Sequence, residues 1–252
     1  MKVLVTGAGG QLAHAVAARM QATHQVISLT RKELDLARYL DVMDVVREEQ
    51  PDAIINGAAY NDVDGAEDDP VAVMAVNALG VRALAQAAVA TDAIFVHFST
   101  DFIFDGDADQ PYTEQSIPNP QNSYATSKLI GEWFAAEAQH YILRVESLFG
   151  GGLLPVRKGR RRGSSLDRIA DAILAGEEVR AFTDRTVTPS YIDDVAEATA
   201  AILASTPPEG VYHCVGSGTG TWMDLAKHLA AELNRQSRII PVQMASVKLK
   251  AK

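Results

Sequence analysis

Hydrophobic residues in this chain fall into short unbroken runs, separated by longer stretches in which every third or fourth position is apolar. KVLVTG (2–7), HQVISL (24–29), AIINGAA (53–59), AIFVHFS (93–99) and YILRVE (141–146) are of the first kind. Residues 11–20, 39–50 (Leu40, Met43 and Val46 on one face), 71–90 and the stretch that begins at Tyr124 are of the second. Runs that are apolar throughout, rather than alternating, predict strands buried on both faces. Strands alternating with helices predict a parallel sheet covered on each side, the doubly wound α/β class.

After Gly150 the texture changes. GGGLLPVRKGRRRG is glycine-rich and then basic, and reads as a loop. Beyond it the pattern predicts a helix at 165–175, a strand at 178–182, a helix at 193–204, a strand at 210–215 and a helix at 222–234. The expected architecture is a Rossmann-type sheet domain over 1–150 and a smaller substrate-side lobe over 151–252. The two intertwine, with helix 193–204 and strand 210–215 returning to the main domain.

Composition narrows the function classes. The chain has 252 residues, is 47% hydrophobic and carries a formal net charge of −9. That balance argues against nucleic acid or an anionic membrane as a bulk partner. A single cysteine, Cys214, excludes an intrachain disulfide and a cysteine-based zinc site. The N-terminal apolar run is too short for a secretory signal, and no 18-residue apolar stretch is evident, so a cytoplasmic protein is expected.

VTGAGGQLA joins the first strand to the first helix and sets Gly7, Gly10 and Ala13 three residues apart. Glycine there lets the backbone turn sharply and approach a pyrophosphate held at the helix N-terminus. Gln11 and Leu12, which open that helix, join Gly7 and Gly10 as cofactor-binding candidates. A ribose-reading acid would favour NAD at the end of the second strand. Thr30, Arg31 and Lys32 stand there instead and suit a 2′-phosphate, so NADPH is favoured, with NADH the alternative. Asp35 and Leu36 are placed to flank the adenine.

SYATSKLIGEW sets Tyr124 four residues before Lys128, on one face of a helix. Both side chains ordinarily titrate near ~10. A neighbouring ammonium is expected to lower the tyrosine pKa, so that the phenol exchanges a proton with a substrate oxygen near neutral pH. FSTDF ends the fourth strand at the edge where α/β ligand sites form, and Ser99 and Thr100 bring hydroxyls there.

These segments together resemble the extended short-chain dehydrogenases/reductases, and within them the dTDP-4-dehydrorhamnose reductases and their relatives. The shared stretches are TGAGGQLA, IINGAAYNDVDGAEDDP with VNALG, HFSTDFIFDGDADQPYTEQSIPNPQNSYATSKLIGE and DRTVTPSYIDDVAEAT. The resemblance implies a catalytic trio of Thr100, Tyr124 and Lys128, with Asn77 supporting it. Ala58, Ala59 and Tyr60 would lie along the cofactor and Ser99 beside the nicotinamide, while Lys128 would hold the ribose. The implied reaction is hydride transfer from NADPH to the keto carbon of a nucleotide-linked 4-keto-6-deoxy sugar, with Tyr124 as proton donor and Thr100 polarising the carbonyl. Val63, Asp101, Arg185 and Thr188 are the substrate-side candidates, and a helix-built homodimer is a family expectation.

The pattern departs from the family in places. Where relatives read R-T-S-W-x-Y-G after the fifth strand, this chain reads RVESLFGG, with Leu148 taken as the tryptophan position and Glu146 near the pocket. The chain stops at VQMASVKLKAK where relatives continue, so part of the lobe is expected beyond it. No acidic cluster matches the magnesium site of some relatives, so no metal is expected. Arg157, Lys158, Arg160, Arg161 and Arg162 either neutralise a substrate diphosphate or form a solvated segment. His97 reads as a core histidine, Trp133 and Phe134 as packing groups, and Ser190 or Asp193 as a helix cap. Two other functions stay open. An epimerase or dehydratase would use the same Tyr–Lys pair with recycled NAD, though Phe102 stands where a dehydratase wants an acid. A non-catalytic cofactor-binding subunit would keep the motifs without turnover.

Overall fold

The computed structural model describes residues 1–150 and 164–251. The basic run from Arg157 to Arg162 lies outside the described residues. The first half runs β1 (Lys2–Thr6), α1 (Gln11–Met20), β2 (Gln25–Leu29), α2 (Tyr39–Glu49), β3 (Ala53–Asn56), α3 (Val63–Asp68), α4 (Pro70–Met74), α5 (Gly80–Thr91), β4 (Ile94–Thr100), α6 (Ser123–Ala135) and β5 (His140–Val145). The second half runs α7 (Ser165–Leu174), β6 (Val179–Phe182), β7 (Thr186–Val187), α8 (Ile192–Ser205), β8 (Gly210–His213), β9 (Gly220–Thr221), α9 (Trp222–Glu232) and β10 (Ile239–Val242).

Six strands form one parallel sheet in the order β2-β1-β3-β4-β5-β8. The order reverses between β1 and β3, which opens a crevice at their carboxyl ends. Successive residues of a strand face opposite sides. Accordingly Val3 and Val5 join Val16, Met20, Ile192 and Val195 beneath α1 and α8. Leu4 and Ile54 join Val46, Val81, Leu84 and Phe95 beneath α2 and α5. The inner strands β1, β3, β4 and β5 are buried on both faces, which is why they read as continuous apolar runs, while the edge strands β2 and β8 are only partly covered.

A smaller body stands over the crevice. Parallel β6 and β10 carry α7 and α9, sealed by Ile173, Val179, Met223 and Ala226. Antiparallel β7 and β9 form a second short ribbon. Serine and threonine start both helices with capping boxes, Ser164 with Asp167 and Thr221 with Asp224. β8 pairs with β5, and α8 packs beside α1.

Three details differ from the sequence reading. The expected helix over 71–90 is interrupted by a π-helical turn at Ala75–Leu79. The whole run Pro70–Thr91, 22 residues containing an 18-residue window of mean hydropathy 1.5, is after all long and apolar enough to cross a membrane by length and composition; 56% of that window is buried, the mark of a core helix. α8 has Tyr191 as its N-cap without a side-chain cap bond. Ser190 is engaged elsewhere, donating to the Cys214 carbonyl and accepting from the Glu146 N–H.

Candidate active site

A cavity of about 910 Å³ lies between the carboxyl ends of β1, β3 and β4 and the smaller body. Its floor is the glycine turn. Gly7 holds φ +71°, and a Cβ there would stand 2.5 Å from the Ala58 nitrogen. Only glycine permits both the dihedral and that approach. The Gly10 N–H closes the turn onto the Gly7 carbonyl at 2.8 Å. Gly10 then caps α1 without a side-chain bond, and Gly10, Gln11 and Leu12 line the cavity. Ala13 sits under Gly57, where a Cβ would meet the alanine methyl at 2.7 Å, so helix and strand pack closely.

Thr100 ends β4, and Asn122 starts α6 by accepting the Ala125 N–H at 2.8 Å. This brings Thr100, Tyr124 and Lys128 to one wall of the cavity. Thr100 Oγ1 donates to Asp101 Oδ1 at 3.0 Å and stands near enough to the Tyr124 phenol to influence its ionisation. Tyr124 is 8% exposed and meets the Phe102 ring edge-on at 5.7 Å. Lys128, 3% exposed, donates from Nζ to the Phe98 carbonyl at 2.6 Å.

The electrostatics correct one expectation. Burial pushes the Tyr124 phenol up to about 12; Thr100 opposes this and the Asp101 charge adds to it. Lys128 does not acidify the phenol here. Its own burial pushes the ammonium down to about 8, opposed by Glu132. Spacing predicted the neighbours correctly, but desolvation, which spacing does not register, decides the direction.

Asn77 lies in the π-helical turn and clamps Tyr60, accepting its N–H at 2.8 Å and donating to its carbonyl at 3.0 Å. It also donates to Ser127 Oγ at 3.0 Å, which ties the Tyr60 backbone to α6. Ala58 and Ala59 line the cavity. Ser99 lines it too, and its Oγ is buried without a hydrogen-bond partner among the described residues. A buried hydroxyl left unpaired is costly. A carboxamide in the cavity would satisfy it. The glycine cradle and this orphaned hydroxyl both fit a dinucleotide.

Other candidates stand farther off. Thr30, Arg31, Asp35 and Leu36 do not line the cavity. The Thr30 N–H donates to the Glu33 carboxylate at 2.7 Å, and Arg31, its side chain 79% exposed, pairs with Asp35 at 3.3 Å. The Leu36 side chain is core, packed where a Cβ on Gly80 would meet it at 2.7 Å. Trp133 is 64% exposed on the single chain, and Phe134 lies under Arg82 at 5.4 Å.

Asp101, beside Thr100, lines the cavity with Val63 and Arg185, the Arg185 guanidinium standing 5.0 Å above the Phe102 ring. Thr188 does not reach it; its N–H donates to Glu146 Oε2 at 2.8 Å. Burial and then the Asp101 charge push Glu146 up to about 7. Burial pushes Asp101 up to about 6, opposed by Thr100 and Arg185. Counted from Arg144, the tryptophan place of the family pattern falls on Ser147, not Leu148; both line the cavity, and Ser147 holds φ +42°. Arg168, Arg180 and Trp222 close the far side, and no local sequence signal marked them. Among the described residues no group of three or more His, Cys, Asp or Glu side chains is placed to hold a metal ion.

Comparison with known proteins adds independent information. The RmlD substrate binding domain family model matches residues 1–252. A dTDP-4-dehydrorhamnose reductase of Burkholderia thailandensis is 32% identical over 275 residues, covering 100% of this chain and 88% of the relative. One from Sinorhizobium fredii is 34% identical, covering 91% and 77%. Among solved structures, a dTDP-4-dehydrorhamnose reductase of Bacillus anthracis in complex with NADP aligns with TM-score 0.90 at 28% identity, covering 100% of this chain and 87% of that one. A UDP-glucose 4-epimerase of Thermus thermophilus, TM-score 0.83 at 23% identity and covering 99% and 89%, shares the fold. Matched by its family model from end to end, the chain belongs to the RmlD substrate binding domain family, the dTDP-4-dehydrorhamnose reductase-like branch of the extended short-chain dehydrogenases/reductases.

Proposed function

We propose that this protein is an NADPH-dependent reductase of a nucleotide-linked 4-keto-6-deoxy sugar, of the dTDP-4-dehydrorhamnose reductase kind. The observation that carries the reading is the meeting of Thr100, Tyr124, Lys128 and the unpaired Ser99 hydroxyl in one cavity above the glycine turn. Gly7, Gly10 and the first turn of α1 would hold the pyrophosphate, Ala58 and Ala59 the adjoining backbone face, and Ser99 the carboxamide. Lys128 would hold the ribose, and Arg31 would answer a 2′-phosphate.

Bound NADPH supplies the hydride that reduces the keto carbon. Thr100 positions and polarises the keto oxygen. Tyr124 stays protonated at neutral pH in its buried setting, as a proton donor must. Tyr124 would give its phenolic proton to the keto oxygen as negative charge develops there, which yields the alcohol. Arg185, with Asp101 beside it, fixes the sugar on the opposite side. Burial excludes water, and holding hydride source, carbonyl and acid together contributes the proximity advantage.

The test mixes purified protein, NADPH and dTDP-4-keto-6-deoxy sugar and follows the absorbance of reduced cofactor. Stoichiometric oxidation that is lost in Tyr124→Phe supports the reductase. NADPH binding without its oxidation by any keto sugar, or an isomerised sugar without net oxidation of the cofactor, overturns it.

A further inference from the structure

Beyond β10 the chain leaves the small body and crosses to the main domain, and carboxylates hold it at both ends. At the near end the Met244 N–H donates to both oxygens of Asp184, at 3.1 and 3.0 Å, and a short 3-10 turn, Met244–Ser246, follows. At the far end the Lys250 and Ala251 N–H groups both donate to Asp64 Oδ1, at 3.1 and 3.0 Å. The Lys250 side chain pairs with Asp68, and Ala251 is buried. Residues 243–251 thus form a strap from the small body to α3.

Each anchor adjoins a residue of the cavity. Asp184 precedes Arg185 and Asp64 follows Val63, and both neighbours line it. Between the anchors, Ser246, Val247 and Lys248 close a hollow of about 420 Å³ with Arg180 and Phe182 of β6. Those two β6 residues line the main cavity as well. The landing place is firm. Ala66 of α3 is buried in a cluster with Val73 and Tyr124, and Glu67 accepts the Ser123 N–H at 2.6 Å where α6 begins. Of the contacts at the far end, the two bonds to Asp64 are charge-assisted and converge on one oxygen. The Lys250–Asp68 pair, with side chains 59% and 61% exposed, contributes little.

We infer that Asp64 and Asp184 are positioning residues for the sugar site: they fasten the two ends of the 243–251 strap, which ties the body that carries Arg185 to the helix that begins at Val63. Neither carboxylate touches the substrate. They hold the two bodies in place before the sugar arrives, so that binding does not have to order them. The Thr100, Tyr124 and Lys128 wall is built without the strap, so its loss weakens binding of ground state and transition state alike. This rests on the reductase reading only for its kinetic measurement.

Asp64→Ala and Asp184→Ala test it, one at each end. Either is expected to raise KM for the keto sugar about fivefold, the usual net contribution of one hydrogen bond. In both, kcat should stay within about twofold of the parent value. Asp64→Asn keeps Oδ1 as acceptor of both N–H groups and should restore the parent KM. Lys250→Ala should leave KM at the parent value. A strap cut at one end is already released, so the double variant Asp64→Ala/Asp184→Ala should be no worse than the weaker single one. Two independent effects would instead multiply to about twenty-fivefold, which overturns the inference. So does an unchanged KM in either alanine variant, an Asp64→Asn as impaired as Asp64→Ala, or a loss confined to kcat. Should Asp64→Ala not fold, Asp184→Ala alone decides by the same KM criterion. Hydrogen exchange in the absence of ligands reads the strap directly. The Lys250 and Ala251 amides should be protected in the parent and in Asp64→Asn, and exposed in Asp64→Ala; unprotected parent amides overturn the inference. Protection that behaves as expected in a protein that reduces no keto sugar sinks the reductase reading and leaves the strap standing.

Discussion

The two walls of the cavity are built differently. The wall beneath the proposed cofactor comes from segments that each carry their own local reason: a glycine turn, the ends of β3 and β4, and one helix face bearing Tyr124 and Lys128. The remaining wall gathers Arg168, Arg185 and Trp222 from three separate stretches of chain beside Asp101, with Glu146 within electrostatic reach of Asp101 and Arg185. The first is almost wholly buried and hydrogen-bonded. The second holds close charges whose ionisation is shifted toward neutrality. Binding a constant cofactor asks for a rigid, local frame; binding a particular sugar is left to long-range contacts that can change without disturbing that frame.

Substitutions can break this contrast. The largest effect is expected from Tyr124→Phe, which should lower kcat by about 10²–10⁴-fold, the usual worth of a positioned acid. Fluorescence titration should still show NADPH binding. Gly7→Ala should damage the cofactor side alone, by placing a methyl 2.5 Å from the Ala58 nitrogen. The strain is about 1–3 kcal/mol of stability, read by thermal unfolding, with NADPH affinity falling alongside. Arg185→Met should spare the cofactor and raise KM for the keto sugar about tenfold or more, the scale of a hydrogen bond to a charged group.

The smallest effect concerns Glu146. Its folded pKa is raised to about 7, so ionising it opposes folding. That penalty is absent below the ordinary carboxylate range, grows as pH rises toward about 7 and persists above it. Glu146→Gln keeps the acceptor for the Thr188 N–H. It should therefore stabilise the protein by about 1 kcal/mol at slightly alkaline pH, after allowance for partial exposure, and not at all in acid. Denaturant midpoints at the two pH values measure it.

What could be read from the sequence follows the same division. The parallel sheet, the glycine turn and the helical pairing of Tyr124 with Lys128 are local patterns, and the fold reproduces them. The effect of one on the other was misjudged, because four-residue spacing reports adjacency but not the desolvation that pushes the phenol up to about 12. The link from Asn56 to His97 spans 41 positions and that from Glu146 to Thr188 spans 42, so no window of the sequence contains either. The short strands β7, β9 and β10 went unread for a similar reason: two to four residues carry too little period to announce a strand. Leu36 was placed beside the adenine from its position after β2, whereas its side chain belongs to the core under α5.

The central claim is that the cavity moves a hydride onto a sugar carbonyl. The most direct measurement is the mass of the sugar product after turnover with NADPH deuterated at the nicotinamide C4. The account predicts one deuterium on the former keto carbon for each cofactor oxidised. A product without label, or a rearranged sugar formed while the reduced cofactor survives, would contradict it.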